Sequence, residues 1–358
     1  MNIALLSYST RPRGGVVHTL ALAEALAAAG QDVTVWTLGR GGDAAFFRAV
    51  DPAVRQRIVP FADGPPRETV GERVQRSIAV LREAFDPGPY DIVHAQDCIS
   101  ANAVDRCVRT VHHIDHFTTP ELAACHERAI TRPRAHICVS SAVAGELAGG
   151  WGIKATVIPN GVDHERFAAT DPAARARWRD RLGRYVLTVG GIEPRKGSLD
   201  LLEAYALLRD RHPGTRLVIA GGETLFDYRD YRARWDARAA ALGVEPVVLG
   251  PVPDDDLPPL VAAAGAFAFP SRKEGFGLAA MEALAAGVPL VVRDLPVLRE
   301  VFGPAARFAA TPEALAGELG EALNGGDAIR RAAGRDLTAR HTWSAAASRH
   351  LDFYVGLS

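Results

Sequence analysis

Glu274 and Glu282 bracket a glycine-rich turn in SRKEGFGLAAMEALAAGVPLVV, residues 271–292. Two carboxylates in one stretch can act as an acid/base pair, hold the hydroxyls of a ligand, or simply decorate a helix. Spacing and context separate these options. The apolar run AFAFPS predicts a strand ending near Ser271. Gly275 and Gly277 then permit a tight turn whose backbone can approach a ligand closely. A helix is predicted from near Leu278 to about Ala286, closed by Gly287. The backbone of Gly275, Phe276, Gly277 and Leu278 thus leads into a helix N-terminus, where unpartnered amides attract an anion. Eight residues of pure helix would place the two carboxylates about 12 Å apart. That is a poor distance for two groups acting on one bond. It suits a long ligand with hydroxyls at both ends and a diphosphate between them, the layout of a sugar nucleotide. The ordinary alternative, a loop glutamate followed by a solvated helix glutamate, stays open, because an E-x7-E spacing on its own recurs by chance.

Three other stretches carry chemistry. In VGGIEPRKG, residues 189–197, a predicted strand ends in Gly190 and Gly191, and Arg195 and Lys196 precede a helical run. A guanidinium fork and an ammonium at a strand-to-helix loop can clamp a diphosphate; a solvated surface pair is the plainer reading. In RPRGG, Gly14 and Gly15 stand just before another predicted helix, again allowing close backbone approach. This is not GxGxxG, so a dinucleotide fingerprint is absent. His18 reads as a cleft-side helix residue with no assignable chemistry. The stretch TVHHIDHF brings His112, His113, Asp115 and His116 together. It matches no standard zinc spacing, and successive strand residues point to opposite faces, so one histidine contacting a sugar is favoured over a metal site. The acidic PDDDL, residues 253–257, reads as the cap of a helix starting near Leu257.

The elements that must position these residues form a repeated strand-then-helix pattern. NIALLSYS, DVTVWTL, DIVHA, CVRTVHH, AHICVS and ATVIP are strand candidates with helical stretches between several of them. After a polar, irregular connection from residue 160 to 184 the series restarts with YVLTVGG, RLVIAGG, PVVLG, AFAFPS and VPLVV. Such alternation implies parallel sheets covered on both faces. The expected fold class is α/β: two Rossmann-like, doubly wound parallel-sheet domains facing across a cleft, residues 1–165 and 184–340. A last helix, 343–358, is expected to join the first domain. Ligands of such sheets bind beyond the carboxyl ends of the strands, where the candidate loops fall.

Composition bounds the class. The chain has 358 residues, 48% hydrophobic and 23% charged, with a net charge of −1, which argues against a bulk electrostatic nucleic-acid binder. Cys98, Cys107, Cys125 and Cys138 show no CxxC spacing and read as thiols of a reducing compartment. No signal peptide or membrane span is visible, so a cytoplasmic enzyme is expected. RARWRDRLGR reads as a solvated helix, with peripheral contact at the inner membrane face as the alternative.

Taken together, GGVVHTLALAEALAAAGQDVTVW, TVHH, VSSAVAGEL, VIPNGVD, VGGIEPRKG, the stretch from VLGPVPDDDL to AAGVPLVV, and the terminal TWSAAASRHLDFY resemble the retaining glycosyltransferases of family four, with the GT-B fold. The resemblance covers nearly the whole chain in the right order. It implies a nucleotide-sugar donor held mainly by the second domain, a last helix crossing back to the first, and catalysis without a metal or other cofactor. By resemblance, Glu274 contacts donor sugar hydroxyls, Glu282 holds the ribose, Lys196 meets the diphosphate, His112 lies near the reacting sugar and Gly15 faces the phosphates. Where many members carry an arginine, this chain has Gly191, and Arg195 is the candidate replacement. The resemblance also implies a carbohydrate, lipid or small-molecule acceptor. A sugar-nucleotide epimerase of similar fold, or a catalytically inactive sugar-nucleotide binder, are the competing readings. A glycoside hydrolase would need both glutamates flanking one bond.

Overall fold

The computed structural model describes every residue except 66, 116, 118, 223–227 and 358, so His116 lies outside the described residues. The chain divides into two compact units, Met1–Gly161 with Trp343–Ser358, and Val162–Thr342.

In the first unit the described strands are β1 (Asn2–Leu6), β2 (Asp32–Arg40), β3 (Arg55–Phe61), β4 (Ile92–Ala95), β5 (Val108–Val111), β6 (Ala135–Cys138) and β7 (Thr156–Val157). They form a parallel sheet in the order β3-β2-β1-β4-β5-β6-β7. Helices cover both faces, which is why β1 reads as a continuous apolar run: Ile3, Ala4, Leu5 and Leu6 are all fully buried. The helix Gly14–Ala28 follows β1. Its Val16, Leu20 and Ala23 share a core with Ile3, Leu5 and, from the C-terminal helix Trp343–Val355, Ala347 and Tyr354. The last helix is thus built into the first unit's core.

In the second unit β8 (Arg184–Gly191), β9 (Thr215–Gly222), β10 (Val247–Gly250), β11 (Ala266–Phe269), β12 (Leu290–Arg293) and β13 (Ala306–Ala309) make a second parallel sheet. Its order is β10-β9-β8-β11-β12-β13. Val186, Leu202, Leu217, Trp235, Ala268 and Leu319 belong to its core. The order reverses between β8 and β11, so the loops that follow these two strands stand side by side at the switch point.

Two strands escape the pattern of apolar runs. β3 (RQRIVPF) and β13 (ARFA) both lie at sheet edges, where one side lacks a partner strand and burial is incomplete. Pro60 within β3 is tolerated for that reason. The connection read as polar and irregular contains the helices His164–Ala168 and Pro172–Leu182, both in the second unit; the second covers most of RARWRDRLGR, which reads as a solvated helix. Asp163 and Asp171 cap them through their side chains, and Pro172 takes the first helical turn. Each helix buries a single residue, Phe167 and Leu182, which left almost no apolar periodicity to read. Among the described residues no helix is long and apolar enough to cross a membrane.

Candidate functional site

In the second unit two neighbouring strand ends carry most of the candidate residues. After β8 the chain makes a single 3-10 turn, Pro194–Lys196, and enters the helix Ser198–Arg211 through Gly197. After β11 it runs through Ser271–Gly277 into the helix Leu278–Ala285. The loops touch directly: the Arg272 amide donates to the Arg195 carbonyl at 2.7 Å. Gly197 has φ +66°, and a Cβ there would lie 2.2 Å from the Pro270 carbonyl oxygen, so only glycine permits this approach. Gly277 has φ +101° and is hemmed by Phe269 and Phe302, at 3.2 and 3.1 Å from where a Cβ would stand.

Charge converges where the loops meet. Lys196 Nζ donates to Glu274 Oε2 at 2.9 Å, and Arg195 Nη1 stands 3.6 Å from the same oxygen. Arg195 also pairs with Glu193 at 3.0 Å. Gly190 lies under the Lys196 stem, with room for a Cβ only 3.6 Å from Cε. Gly190, Gly191, Lys196, Thr188 and Ser198 line a pocket here. The helix at Leu278 begins after Gly277 with no side-chain cap and no acidic residue in its first turn. Its leading amides keep their attraction for an anion. Two cations, uncapped amides and one mostly buried carboxylate can bind a phosphate and accept a hydroxyl beside it.

Glu282 has different neighbours. It sits in the helix Leu278–Ala285, which packs against the helix His164–Ala168. Burial pushes its carboxyl up to about 8; Arg166 opposes that shift, while Asp254 and Asp163 add to it. Arg166 is itself engaged, its Nη2 donating to the Asp254 carbonyl at 2.5 Å and to Oδ2 at 2.7 Å. This corrects the capping role expected of the acidic stretch. Asp254–Asp256 form a 3-10 turn, and Asp256, which flanks the helix Leu257–Ala263, makes no side-chain cap bond. Sequence reasoning missed Arg166 and Asp254. The available signal was Asp163 as a helix start, which places Arg166 in a structured element.

In the first unit Gly14 and Gly15 are the first two residues of their helix rather than residues ahead of it, with Arg13 as the flanking residue. Gly15 faces His112, just beyond β5; a Cβ on Gly15 would lie 3.9 Å from His112 Cδ2. The His112 ring meets the His18 ring edge-on, centroids 4.7 Å apart. His18 is 1% exposed, hydrogen-bonded through Nδ1 to Asn160 Oδ1 at 2.9 Å and flanked by Trp343. Burial, then His112, His350 and His94, hold its pKa well below the ordinary value, so it supports His112 as a neutral ring. His113 Nε2 pairs with Asp115 at 3.2 Å. Among the described residues no group of three or more His, Cys, Asp or Glu side chains is placed to hold a metal.

Comparison with known proteins agrees with this architecture. Residues 176–335 match the family model described as glycosyl transferases group 1, and residues 12–166 match that of glycosyltransferase family 4. The D-inositol 3-phosphate glycosyltransferase of Actinosynnema mirum is 31% identical over 345 residues, covering 82% of each chain. The phosphatidyl-myo-inositol mannosyltransferase of Mycobacterium tuberculosis is 28% identical over 374 residues, covering 97% of this chain and 94% of its own. Among solved structures, Anabaena HepE in complex with UDP and glucose superposes with a TM-score of 0.78 at 21% identity, over 99% of both chains.

Proposed function

The chain belongs to the group 1 glycosyl transferases, and on that premise we propose that it moves a hexose from a UDP- or GDP-linked sugar to an acceptor hydroxyl with retention of configuration. The observation that carries this reading is the convergence of Lys196 and Arg195 on Glu274 beside the uncapped helix start at Leu278. Glu274 pairs with both cations. A bound diphosphate takes over Lys196, Arg195 and the helix amides, which releases the Glu274 carboxylate to accept hydroxyls of the transferred sugar. Arg195 thereby supplies the charge that Gly191 lacks. Glu282 holds the ribose, and His112 with Gly15 serves the reacting sugar and phosphates.

The reaction runs on one face of the sugar. The bond from the anomeric carbon to the diphosphate oxygen breaks, the bond to the acceptor oxygen forms, and the acceptor proton passes to the leaving phosphate. Negative charge grows on the diphosphate as its bond breaks. Lys196, Arg195 and the amides are preorganised to meet it, and this stabilisation is the main catalytic contribution. No enzymatic nucleophile is required and no metal is invoked: full activity is expected to survive exhaustive EDTA treatment, and loss restored by Mn²⁺ or Zn²⁺ would overturn that part of the proposal.

Thermal shift with UDP-, GDP- and ADP-sugars tests the donor, since a ligand at 100 times its Kd stabilises the native state by about 2.7 kcal/mol. Inositol and inositol phosphate are the first acceptors to try, because the names of both relatives carry inositol. NMR of the product's anomeric centre then reads retention or inversion. A panel in which no nucleotide sugar raises the melting temperature counts against the proposal. Conversion of the donor without an acceptor would favour an epimerase, and binding without transfer an inactive binder.

A further inference from the structure

Behind the charged loops lies a carboxylate, Asp200, that ties the Lys196 and Glu274 loops together. Asp200 is in the first turn of the helix Ser198–Arg211, with 13% of its side chain exposed. Arg272 grips it with a two-pronged fork, Nε to Oδ2 at 3.0 Å and Nη2 to Oδ1 at 2.7 Å. Arg293, at the end of β12, donates Nη2 to Asp200 Oδ2 as well. Arg293 then reaches on through Nε to the Pro270 carbonyl at 2.9 Å and through Nη1 to the Ala310 carbonyl at 3.3 Å. Arg272 is the residue whose amide donates to the Arg195 carbonyl. Asp200 therefore fastens the ends of three strands: its own helix follows β8, Arg272 follows β11, and Arg293 closes β12. The bare Cα of Gly197 lies against Pro270 in the same seam.

We infer that Asp200 is a positioning residue for transfer: through Arg272 and Arg293 it sets the distance between the Arg195–Lys196 loop and the Glu274 loop. The inference rests on the proposed function for what those loops hold, but the linkage itself is geometric. Bidentate guanidinium–carboxylate pairs fix orientation as well as distance. A loop displaced by about 1 Å can cost on the order of 100-fold in rate. Burial works to raise the Asp200 carboxyl, but the bonds and charges of Arg272 and Arg293 outweigh it and leave the pKa below the ordinary value, so the group is an anion near neutral pH.

A charge effect and a positioning effect have opposite signs here. Asp200→Asn removes a negative charge and leaves Arg272 and Arg293 without their counter-ion. A pure field effect would tighten binding of a diphosphate. Loss of positioning lowers turnover instead.

The test begins with wild-type turnover of whichever UDP- or GDP-sugar the protein accepts. Asp200→Asn is then expected to lower kcat by about ten- to 100-fold, with donor KM changed by less than about threefold, as for an interaction whose benefit is realised in the transition state. Arg272 has 60% of its side chain exposed, so Arg272→Ala leaves the fold intact and gives a second route should Asp200→Asn fold poorly. It is expected to lower kcat to a similar extent, and the double variant to be no slower than the worse single, because both remove one fork. Asp200→Glu, which keeps the charge and the fork chemistry, recovers part of the rate. Wild-type kcat in folded Asp200→Asn, tighter donor binding without loss of turnover, or losses that multiply in the double variant would each overturn the positioning role. A wild-type protein that turns over no nucleotide sugar overturns the proposed function instead. In that event the linkage is read from amide hydrogen exchange of the two loops: faster exchange over residues 193–197 and 272–277 in both single variants supports it, and exchange unchanged from wild type in either variant refutes it.

Discussion

Substituting Glu282 by Gln separates a stability effect from a functional one. The carboxyl titrates at about 8 against an ordinary 4.5, with burial as the leading cause. At 1.36 kcal/mol per unit, the full shift corresponds to ~5 kcal/mol. Glu282 keeps some accessible surface, so this is an upper bound and about half of it is the working figure. The sign follows from proton binding. Between pH 4.5 and about 8 the folded state holds a proton that the unfolded state has released, so this group makes the protein less stable as pH rises through that window. Glutamine has the shape of the protonated acid and does not titrate. Glu282→Gln is therefore expected to match wild type near pH 4.5 and to become progressively more stable towards pH 8, by ~2 kcal/mol, or roughly 4–8 °C in Tm for a unit of this size. Thermal melts of both proteins from pH 4.5 to 9 measure the difference at each pH, which cancels acid effects common to the two. A Tm offset that stays constant across the range would refute the buried-carboxyl argument. Donor binding should move the other way. A carboxylate accepts ribose hydroxyls better than its protonated form, so wild-type donor KM falls as pH rises through about 8. Above about pH 8 the variant has the higher KM, and it lacks that pH dependence, with kcat nearly unchanged, as loss of uniform binding requires.

Lys196→Ala removes the ammonium now held by Glu274 and should slow transfer by roughly ten- to 150-fold, the kinetic equivalent of one charged hydrogen bond; single-turnover kinetics on folded protein checks it. Gly197→Ala is expected to lower Tm and to cut activity at least tenfold, because its Cβ would meet the Pro270 oxygen at 2.2 Å in a left-handed backbone that costs about 1–2 kcal/mol. Gly14→Ala, with nothing within 4 Å of its Cβ, should leave Tm unchanged or slightly raised, and melts of the pair make the comparison. Burial lowers the His350 pKa to about 4 from 6.5, so its contribution to the stability of the first unit is present above pH 6.5 and lost as pH falls to about 4. The full shift corresponds to ~3 kcal/mol, and His350→Leu should flatten the acid limb of a denaturation series by up to that amount.

The class of fold was legible along the chain because it is written locally. Strands buried on both faces read as short apolar runs, as Ile3–Leu6 and Ala266–Phe269 do, and glycines mark the turns between them. Family membership was legible for a related reason: stretches such as VGGIEPRKG and EGFGLAAME keep their pattern within one loop and one helix start. Elements that bury little were not legible. The edge strands Arg55–Phe61 and Ala306–Ala309, and the helix His164–Ala168, carry too few buried residues to leave a period. His18 shows the same limit from the opposite side, since a polar residue in a helix gives no sign that Asn160, 142 positions away, will receive it in the core.

What the sequence alone determined is thus the alternation of elements, the parallel sheets, the glycine-marked loops and the family. Tertiary structure decided which side chains meet. Asp200 finds Arg272 and Arg293 across 72 and 93 residues, and Arg166 finds Asp254 across 88. These partners follow from sheet order, which sets β11 beside β8 and β12 beside β11 and so stacks three strand ends in one place. Local patterns specify a strand and its two faces, but the neighbour of a strand end is chosen by the packing of the whole sheet, and the pKa of Glu282 or His350 by the burial which that packing produces.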